Sequence, residues 1–398
     1  MSGAGGSGAT LVVTNDFPPR AGGIEAFVEN VVRRLHHHGA SRVVVHTRRH
    51  PALADAQRAL DAELGAAGVV VVRDPRTLLL PTPALARRVA ATARAHGCDR
   101  AWFGAAAPLG LLAPALRRAG VRRTVATTHG HEVWWARLPG SRAALRAVAA
   151  RNDVLTVLGP ATGAPIAHAL PTALRERVTT LSPGVDPAAF GRPEDDDAAR
   201  ELREQWGVTG RPVLLCVSRL VARKGQDVLL RALPAVQRAV PGAVLVLVGE
   251  GPRRAHLERL ADSLGLRRGP GGDVLLTGRL PGGQLAAAHA AADVFAMPCR
   301  DRLGGLETEG LGICFLEAAA SGRPVVVGRS GGAPDAVRDG ETGLLVDGTD
   351  PGAVAVAVAS LLADPARARA MGAAGRAWVR EAWGWDERAA ALAQLLEL

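Results

Sequence analysis

A chain of 398 residues is long for one hydrophobic core and sufficient for two domains of roughly 180 to 200 residues each. Aliphatic side chains must fill both interiors, because hydrophobic residues make up 48% of the chain and aromatic residues only 3%. The formal net charge of +10 favours anionic partners, whether a phosphorylated ligand, an acidic membrane surface or nucleic acid. Aromatic residues do not cluster among the basic ones, which argues against nucleic acid.

Membrane spans and disulfide frameworks are not expected. No apolar run approaches the roughly 18 residues that would cross a bilayer, and the start MSGAGGSGAT lacks the basic and apolar regions of a secretory signal. We therefore expect a cytoplasmic protein. Its four cysteines are far apart in the sequence, form no C-x-x-C pair and are expected to be reduced and buried; they are Cys98, Cys216, Cys299 and Cys314.

Short runs of β-branched residues alternate with alanine-rich helical segments along the whole chain. In the first half the predicted strands are ATLVVT, SRVVVHT, GVVVVR, RAWFG, RRTVATT and DVLTVL, with a first helix from about Ile24. In the second half they are PVLLCVS, AVLVLVG, DVLLTG, DVFAMP, RPVVVG and GLLV. This alternation is typical of parallel sheets covered by helices on both faces. It predicts an α/β fold with two Rossmann-like domains.

The predicted domain boundary lies in LSPGVDPAAFGRPEDDDAARE, where Pro, Gly and a short acidic run interrupt both periodicities. We place the hinge near residues 182–186, which gives a first domain of residues 1–184 and a second of 185–384. The amphipathic segment 385–398 is expected to dock back on the first domain. Sheets of this kind bind ligands at the carboxyl ends of their strands, so the two edges are expected to face each other across a cleft.

A glycine loop follows the first predicted strand. Asp16 begins this loop, and Gly22 and Gly23 end it directly before the first helix. Glycines at a helix N-terminus suit a phosphate group. The loop does not match G-x-G-x-x-G, which argues against a dinucleotide oxidoreductase. The same glycines could instead simply turn the chain.

The segment THGHEVWW follows a later strand of the first half and carries His129, His131 and Glu132. A zinc site is not predicted, because third and fourth ligands at usable spacing are missing. Either histidine could hydrogen-bond a sugar or position an acceptor. Trp134, Trp135 and the basic segment after them predict either an amphipathic helix on an anionic membrane surface or an ordinary exposed helix.

Two cations precede a helix in the second half. Arg219 and Lys224 lie five residues apart in SRLVARKGQDVLL, at the end of a predicted strand. Two positive groups there can straddle a pyrophosphate and stabilise the charge that develops on a leaving group. Gly251 in GEGPRR and Arg279 in TGRLP follow the next two strands. These turns could line a pocket for a base or be plain strand-to-helix connections.

Two carboxylates, Glu309 and Glu317, lie on either side of a glycine turn that opens a helix, and a second glycine pair follows at Gly331 and Gly332. Eight residues of helix advance about 12 Å, so the two acids cannot form one close pair and are predicted to contact an extended ligand at two points. The helix start offers free N–H groups and the positive end of a dipole. The pattern predicts a nucleotide-sugar site, although solvated surface glutamates without a specific role would look similar.

Together these motifs resemble family 4 of the glycosyltransferases, which has the two-Rossmann GT-B architecture, over nearly the whole chain. Glu309 and Glu317 match the E-x7-E signature of that family. More narrowly, MPCRDRLGGLETEGLGICFLEAAASGRPVVVGRSGGAP and the GHE triplet at 130–132 resemble the actinobacterial GDP-mannose-dependent phosphatidylinositol mannoside mannosyltransferases.

The resemblance implies a donor site in the second domain. Glu317 would bind the nucleotide ribose, and Glu309 would hold hexose hydroxyls together with nearby backbone amides. Arg219 and Lys224 would hold the diphosphate, assisted by the glycine loop of the first domain. The donor-binding residues predicted by position or by resemblance are Gly22, Gly23, Arg219, Lys224, Gly251, Arg279, Glu309, Leu311, Gly312, Ile313 and Glu317.

The acceptor would lie at the first domain, next to Asp16, Gly23, His129, His131 and Glu132. The residues implied in catalysis are His131, Arg219, Lys224 and Glu309. Relatives in this family retain the anomeric configuration, by analogy through a front-face displacement in which the donor phosphate helps to deprotonate the acceptor hydroxyl. The resemblance therefore implies no protein nucleophile, and no cofactor or metal, since cationic side chains replace the ion.

The expected reaction is transfer of mannose from GDP-mannose to a phosphatidylinositol mannoside-type lipid, by an enzyme peripheral on the inner face of the plasma membrane. A family 4 enzyme that uses another nucleotide sugar on a small-molecule or secondary-metabolite acceptor is the alternative. A non-hydrolysing nucleotide-sugar epimerase shares the architecture and is more remote. A catalytically silent sugar-nucleotide-binding protein is disfavoured, because the chain retains the two cations and the two carboxylates of the predicted site, Arg219, Lys224, Glu309 and Glu317.

Overall fold

The computed structural model describes residues 8–20, 22–191, 193–281 and 283–398, without the side chains of 193–195. The first seven residues, on which the expectation about a secretory signal partly rests, lie outside this description. The chain separates into two compact units. One unit extends to Gly184 and includes Trp385–Leu398, and the other is Val185–Gly384.

The first unit is built on a parallel sheet. Its strands are β1 (Ala9–Thr14), β2 (Val43–Arg48), β3 (Val69–Asp74), β4 (Cys98–Phe103), β5 (Arg123–Thr127), β6 (Val154–Val157) and β7 (Val178–Thr180). Across the described residues they are ordered β3-β2-β1-β4-β5-β6-β7. All six predicted strands are present. The sequence prediction missed β7, because its three residues are partly exposed and form no long β-branched run.

Helices cover both faces of this sheet. They are α1 (Gly23–Arg34), α2 (Ala54–Ala66), α3 (Pro83–Ala95), α4 (Ala113–Arg117), α5 (Val133–Arg137), α6 (Pro139–Arg151), α7 (Pro160–Ala169) and α8 (Thr172–Arg175). Side chains alternate between two hydrophobic cores, because successive strand residues point to opposite faces. Leu11 and Val13 of β1 pack in one core, and Val12 packs in the other with Phe27 of α1.

The second unit is also a parallel α/β sheet, formed by β8 (Val213–Val217), β9 (Val244–Val248), β10 (Val274–Gly278), β11 (Val294–Met297), β12 (Val325–Gly328) and β13 (Gly343–Val346). The order within the described part of the chain is β10-β9-β8-β11-β12-β13. Its helices are α9 (Pro193–Gln205), α10 (Gln226–Ala239), α11 (Arg254–Ser263), α12 (Gln284–Ala290), α13 (Ile313–Ala320), α14 (Pro351–Leu362) and α15 (Pro365–Ala382).

The last helix, α16 (Trp385–Leu396), belongs to the first unit although it follows the second in sequence. Trp385 and Leu392 are buried in the same core as Phe27, and the rings of Trp385 and Phe27 meet edge to face at 5.9 Å. Apolar contacts with α1 therefore hold this helix in place.

Strand order reverses at one point in each sheet, between β1 and β4 in the first unit and between β8 and β11 in the second. Open α/β sheets bind ligands beside the carboxyl ends of the strands at such reversals. The loops after β1 and β8 carry the glycine loop and the two predicted cations. Within the described ranges, no helix combines the length and apolar character that a bilayer span requires.

Candidate active site

A buried ion pair connects the loop after β8 to the loop after β11. Lys224 ends a 3-10 turn over Ala222–Lys224 and is 8% exposed, while Glu309 is 6% exposed. The Lys224 Nζ atom lies 2.8 Å from Glu309 Oε2. Burial opposes charge on both groups, but their mutual attraction prevails and leaves the pKa of Lys224 raised and the pKa of Glu309 lowered. Both residues are therefore charged at neutral pH.

Arg223, which the sequence prediction did not name, lies beside this ion pair. Its Nε atom lies 3.5 Å from Glu309 Oε2, and its Nη1 atom lies 3.8 Å from Glu307 Oε1. The signal was available, since Arg223 precedes Lys224 within the same predicted phosphate loop. Arg219, by contrast, is exposed. Its backbone carbonyl accepts a hydrogen bond of 3.0 Å from Gln226 Nε2, which fixes the loop before α10.

The backbone around Glu309 is held by the second glycine pair and by Ser330. Gly331 has a φ of +48°, and a Cβ atom there would lie 2.0 Å from the Glu309 carbonyl oxygen. The Gly332 N–H donates to that same oxygen at 3.0 Å, and the Glu309 N–H donates to Ser330 Oγ at 3.1 Å. The Ser330 hydroxyl in turn donates to Asp301 Oδ1 at 2.7 Å. These contacts fix the loop from which Glu309 projects.

The start of α13 lies between the two carboxylates, as predicted from the sequence. Gly312 precedes the helix with a φ of +89°, and its carbonyl accepts a hydrogen bond of 3.0 Å from the Phe315 N–H. The N–H groups of Ile313 and Cys314, which begin the helix, have no carbonyl of the helix to bond. Glu317 lies on the helix and its side chain is 21% exposed. Burial raises the pKa of the Cys314 thiol, which lies one turn before Glu317; Lys224 opposes this shift, while Glu317 and Glu309 add to it. The three charged groups therefore all act on one thiol at the helix start.

Gly251 and Arg279 have different surroundings. A Cβ atom on Gly251 would lie 2.4 Å from the Leu220 carbonyl oxygen, so glycine allows the loop after β9 to approach the loop that carries Arg219. The Leu220 N–H donates to the Glu250 carbonyl at 2.9 Å across the same contact. Arg279 follows β10 and is exposed. Gly251 thus packs against the loop that carries Arg219, while Arg279 lies at the surface.

In the first unit, His129 is buried and its ring is engaged. The His129 ring pairs through Nε2 with the Gly104 carbonyl at 2.5 Å, and Phe27 packs edge to face against it at 5.2 Å. The backbone N–H of His129 donates to Glu132 Oε2 at 2.8 Å. Burial lowers the pKa of His129 although the nearby Glu132 opposes this. His129 is therefore neutral near pH 7, with its proton on Nε2.

His131 is the accessible histidine of this pair. Its side chain is 45% exposed, and its Nε2 atom lies 3.4 Å from Oε1 of the fully buried Glu132. Glu132 therefore contacts both histidines, one through the backbone and one through the ring. His131 is thus the more accessible ring, while His129 is held by its contacts with Gly104, Phe27 and Glu132.

Lowering the pH should destabilise the protein through His129. Because the pKa of His129 is lower in the folded state, the unfolded chain binds the extra proton first. The free energy of unfolding is therefore expected to fall as pH drops through about 6.5 towards the lowered value. Urea unfolding at several pH values should show a steeper decline for the wild type than for His129→Gln, whose amide N–H can replace Nε2–H. Parallel profiles would contradict a neutral, buried His129.

Glu25, in the first turn of α1, is a second residue that the sequence prediction missed, and it contacts the glycine loop. A Cβ atom on Gly22 would lie 2.1 Å from Glu25 Oε2, so this carboxylate folds back over the start of α1, whose first residue is Gly23. Arg20 Nε lies 3.5 Å from Glu25 Oε1. Burial raises the pKa of Glu25. Asp16, half-buried at the start of the loop, is fixed by its N–H, which donates to Thr14 Oγ1 at 2.9 Å.

The aromatic and basic residues after His131 have structural contacts. Trp135 in α5 packs against the hydrophobic core, and Trp134 is half-buried beside it. Arg142 Nε donates to the Ala136 carbonyl at 2.7 Å, and Arg146 Nε donates to the Ala169 carbonyl at 2.7 Å. A membrane-facing role for this segment stays a prediction, and these contacts supply an alternative reason for the same residues.

The four cysteines are free thiols, and Cys98, Cys216 and Cys299 are buried. Burial raises the pKa of Cys216 to about 11 and that of Cys98 to about 12, so both are protonated at neutral pH. Burial also raises the pKa of Cys299 and Cys314. In the described ranges, no group of three or more His, Cys, Asp or Glu side chains is arranged to hold a metal ion.

Two family models match the chain, Glycosyltransferase Family 4 over residues 21–189 and Glycosyl transferases group 1 over residues 198–378. The chain is 49% identical to the GDP-mannose-dependent alpha-(1-6)-phosphatidylinositol monomannoside mannosyltransferase of Mycolicibacterium smegmatis, over 97% of each chain. It is 42% identical to the GDP-mannose-dependent monoacylated alpha-(1-6)-phosphatidylinositol monomannoside mannosyltransferase of Corynebacterium glutamicum, over 98% of this chain and 97% of that one.

Solved structures with the same fold include Anabaena Alr3699/HepE in complex with UDP, with a TM-score of 0.77 at 20% identity over 98% of this chain and 99% of that one. WaaG, a glycosyltransferase involved in lipopolysaccharide biosynthesis, has a TM-score of 0.67 at 17% identity, over 97% of this chain and 99% of that one. At these identities the likeness concerns the fold. The sequence matches and the two parallel α/β sheets together show that this chain is a glycosyltransferase of the GT-B architecture and belongs to glycosyltransferase family 4.

Proposed function

We propose that this enzyme transfers mannose from GDP-mannose to a hydroxyl group of a phosphatidylinositol mannoside. The observation that carries the proposal is the buried Lys224–Glu309 ion pair at the carboxyl end of the second sheet, directly before α13. Donor and acceptor are taken from the relatives that are 42% to 49% identical over nearly the whole chain, whose names state both. The second candidate function is transfer by the same site from another nucleotide sugar to another acceptor.

In the proposed donor complex, Lys224, Arg223 and the exposed Arg219 stabilise the diphosphate. An ammonium group has three N–H donors, so Lys224 can keep its contact with Glu309 and still donate to phosphate oxygens. As the bond from the anomeric carbon to the phosphate oxygen breaks, negative charge grows on the leaving GDP, and fixed cations there lower the barrier. Glu309 accepts hydrogen bonds from hexose hydroxyls, and Glu317 accepts them from the ribose.

The acceptor hydroxyl oxygen forms the new bond to the anomeric carbon on the face that the phosphate leaves. Its proton passes to an oxygen of the departing phosphate, so the reaction balances without a protein nucleophile. We propose that the exposed His131 orients the acceptor and that Glu132 fixes the His131 ring. We also propose that Lys224 and Arg223 make a metal ion unnecessary, which activity in excess EDTA would test.

The acceptor is a lipid, so we propose that the enzyme binds peripherally to an anionic membrane surface. The net charge of +10 supports this, as does a groove of about 310 Å³ between α3 and α4 that Arg87, Arg94 and Arg118 line. Cosedimentation with phosphatidylinositol vesicles is expected to weaken as salt rises. Binding that is absent at low salt would contradict the proposal.

The central experiment is a calorimetric panel of GDP-mannose, UDP-sugars and dTDP-sugars, followed by product analysis with a phosphatidylinositol mannoside acceptor. GDP-mannose is expected to bind tightest and to give a retained α-mannoside. Glu317→Gln should weaken donor binding by at least about tenfold, since it removes a charged acceptor of hydrogen bonds. The matched control is Glu341→Gln, because Glu341 is an exposed glutamate that pairs with Arg338. This variant should bind the donor normally.

Two outcomes would redirect the proposal. Tighter binding of a UDP- or dTDP-sugar would favour the second candidate, with a different donor. Normal GDP-mannose binding without transfer to the phosphatidylinositol mannoside would leave the donor correct and the acceptor wrong.

A further inference from the structure

His289 is a fully buried polar residue next to α13 that has no role in the site described above. It is the penultimate residue of α12 and is 0% exposed. Its ring contacts those of Phe190 and Phe295, with centroid distances of 5.9 Å and 5.5 Å. These two aromatic contacts restrain the orientation of the imidazole.

Both ring nitrogens of His289 are buried and neither has a hydrogen-bond partner among the residues that the structure describes. A neutral imidazole carries one donor and one acceptor, and each unmet buried group costs about 1–3 kcal/mol. Phenylalanine would fill the same aromatic pocket without that cost. Packing against Phe190 and Phe295 therefore does not explain why this residue is a histidine.

Glu317 is a charged group close to one of these nitrogens. His289 Nε2 lies 3.8 Å from Glu317 Oε2, which is longer than the roughly 2.7–3.2 Å of an N–H···O hydrogen bond. Glu317 is partly exposed, and a shift of its carboxylate by about 0.6 Å towards Nε2 would bring Oε2 to the upper limit of that range. His289 is fully buried against two aromatic rings, so the carboxylate is the group that can move.

We infer that His289 is a positioning residue for Glu317. Its Nε2–H donates to Oε2 when the carboxylate engages the donor, which leaves Oε1 to accept hydrogen bonds from the ribose hydroxyls. A carboxylate held in one orientation loses less rotational freedom on binding, so the ligand is bound more tightly. The inference rests on the proposed role of Glu317 in ribose binding, and His289 itself touches no ligand.

GDP is the probe, and calorimetry measures its affinity for the wild type, His289→Phe, His289→Gln, Glu317→Gln and the His289→Phe/Glu317→Gln double variant. His289→Phe keeps the aromatic packing and is expected to weaken GDP binding about tenfold, the effect of losing one hydrogen bond to a charged group. His289→Gln carries an amide N–H near the position of Nε2 and should recover most of that loss. Urea unfolding checks that all variants fold.

The double variant distinguishes positioning from a separate role. If His289 acts through Glu317, His289→Phe will weaken GDP binding in the wild-type background and leave it unchanged in the Glu317→Gln background. Fully additive effects would overturn the inference. In addition, 2′,3′-dideoxy-GDP should bind the wild type more weakly than GDP, and this difference should shrink in His289→Phe. An undiminished difference would also overturn it.

Failure of the inference can be separated from failure of the proposed function. If Glu317→Gln binds GDP as tightly as the wild type, the ribose role of Glu317 is wrong and the positioning role falls with it. If Glu317→Gln weakens binding while His289→Phe does not, the ribose role stands and only the inference about His289 is overturned.

Discussion

Replacement of Lys224 with methionine is expected to cost about 3–5 kcal/mol of unfolding free energy and to reduce transfer about a thousandfold. The loss of stability follows from burial, since Glu309 would keep its charge in a site where Lys224 is its partner at 2.8 Å. The loss of activity follows from the missing cation beside the leaving diphosphate. Urea unfolding and initial rates measure the two effects separately.

The Lys224→Met/Glu309→Gln double variant is the control for charge. It removes both charges at nearly constant volume, so it should recover most of the lost stability while remaining inactive. Arg338→Met, which breaks the exposed pair with Glu341, should cost less than about 1 kcal/mol and leave the rate unchanged. A Lys224→Met variant with normal stability or normal rate would contradict the role assigned to the pair.

The same pair predicts a pH dependence. The pKa of Glu309 is lowered in the folded protein, so its contribution to stability is present above the unfolded value of about 4.5 and is lost as pH falls through the lowered value. Without Lys224 the pKa of Glu309 should rise, because burial then acts with less opposition. As the pH is lowered, the free energy of unfolding of Lys224→Met should therefore begin to fall at a higher pH than that of the wild type.

Gly331→Ala is expected to be the second severe change, because it displaces the backbone that carries Glu309. An alanine Cβ there would lie 2.0 Å from the Glu309 carbonyl oxygen, and the φ of +48° is itself unfavourable for alanine by about 1–2 kcal/mol. The loop must move, and the hydrogen bond from Gly332 to Glu309 is expected to be lost with it. We expect about a hundredfold loss of transfer, together with a lower unfolding free energy.

Gly340→Ala is the matched control for backbone strain. Gly340 also has a positive φ, +80°, but a Cβ atom there would meet open space. It should therefore show only the strain of about 1–2 kcal/mol, with an unchanged rate. Equal effects of the two substitutions on transfer would contradict the view that Gly331 maintains the position of Glu309.

The sequence predicts the sheets well because each strand is a compact β-branched run. Twelve strand segments were predicted, and each corresponds to one of β1 to β6 or β8 to β13. β7 has no such run, which is why it was missed. The sequence also points to Glu309, Glu317 and Lys224, since their residue types stand at strand ends and helix starts where a phosphate-linked ligand would bind, and their roles stay predictions.

The remaining parts of the site depend on contacts between residues far apart in the chain. Lys224 and Glu309 were predicted to bind separate parts of a ligand, and their direct pairing follows only from the adjacency of β8 and β11. His289 lies in an alanine-rich helix, where its side chain gives no sign that it faces Glu317. Glu25 looks like an ordinary first-turn acid until the structure shows that it is buried.

Because α16 returns to the first unit, the polypeptide passes between the units twice, at 184–185 and at 384–385. The ends of the second unit are neighbours, since the Val185 N–H donates to the Trp383 carbonyl at 2.8 Å and Val185 forms a bridge with Gly384. Residues 185–384 therefore form an insertion whose two ends lie side by side. We expect that this segment can be exchanged for that of a relative as one unit, because domain insertions are tolerated where the two ends of the inserted domain are close together.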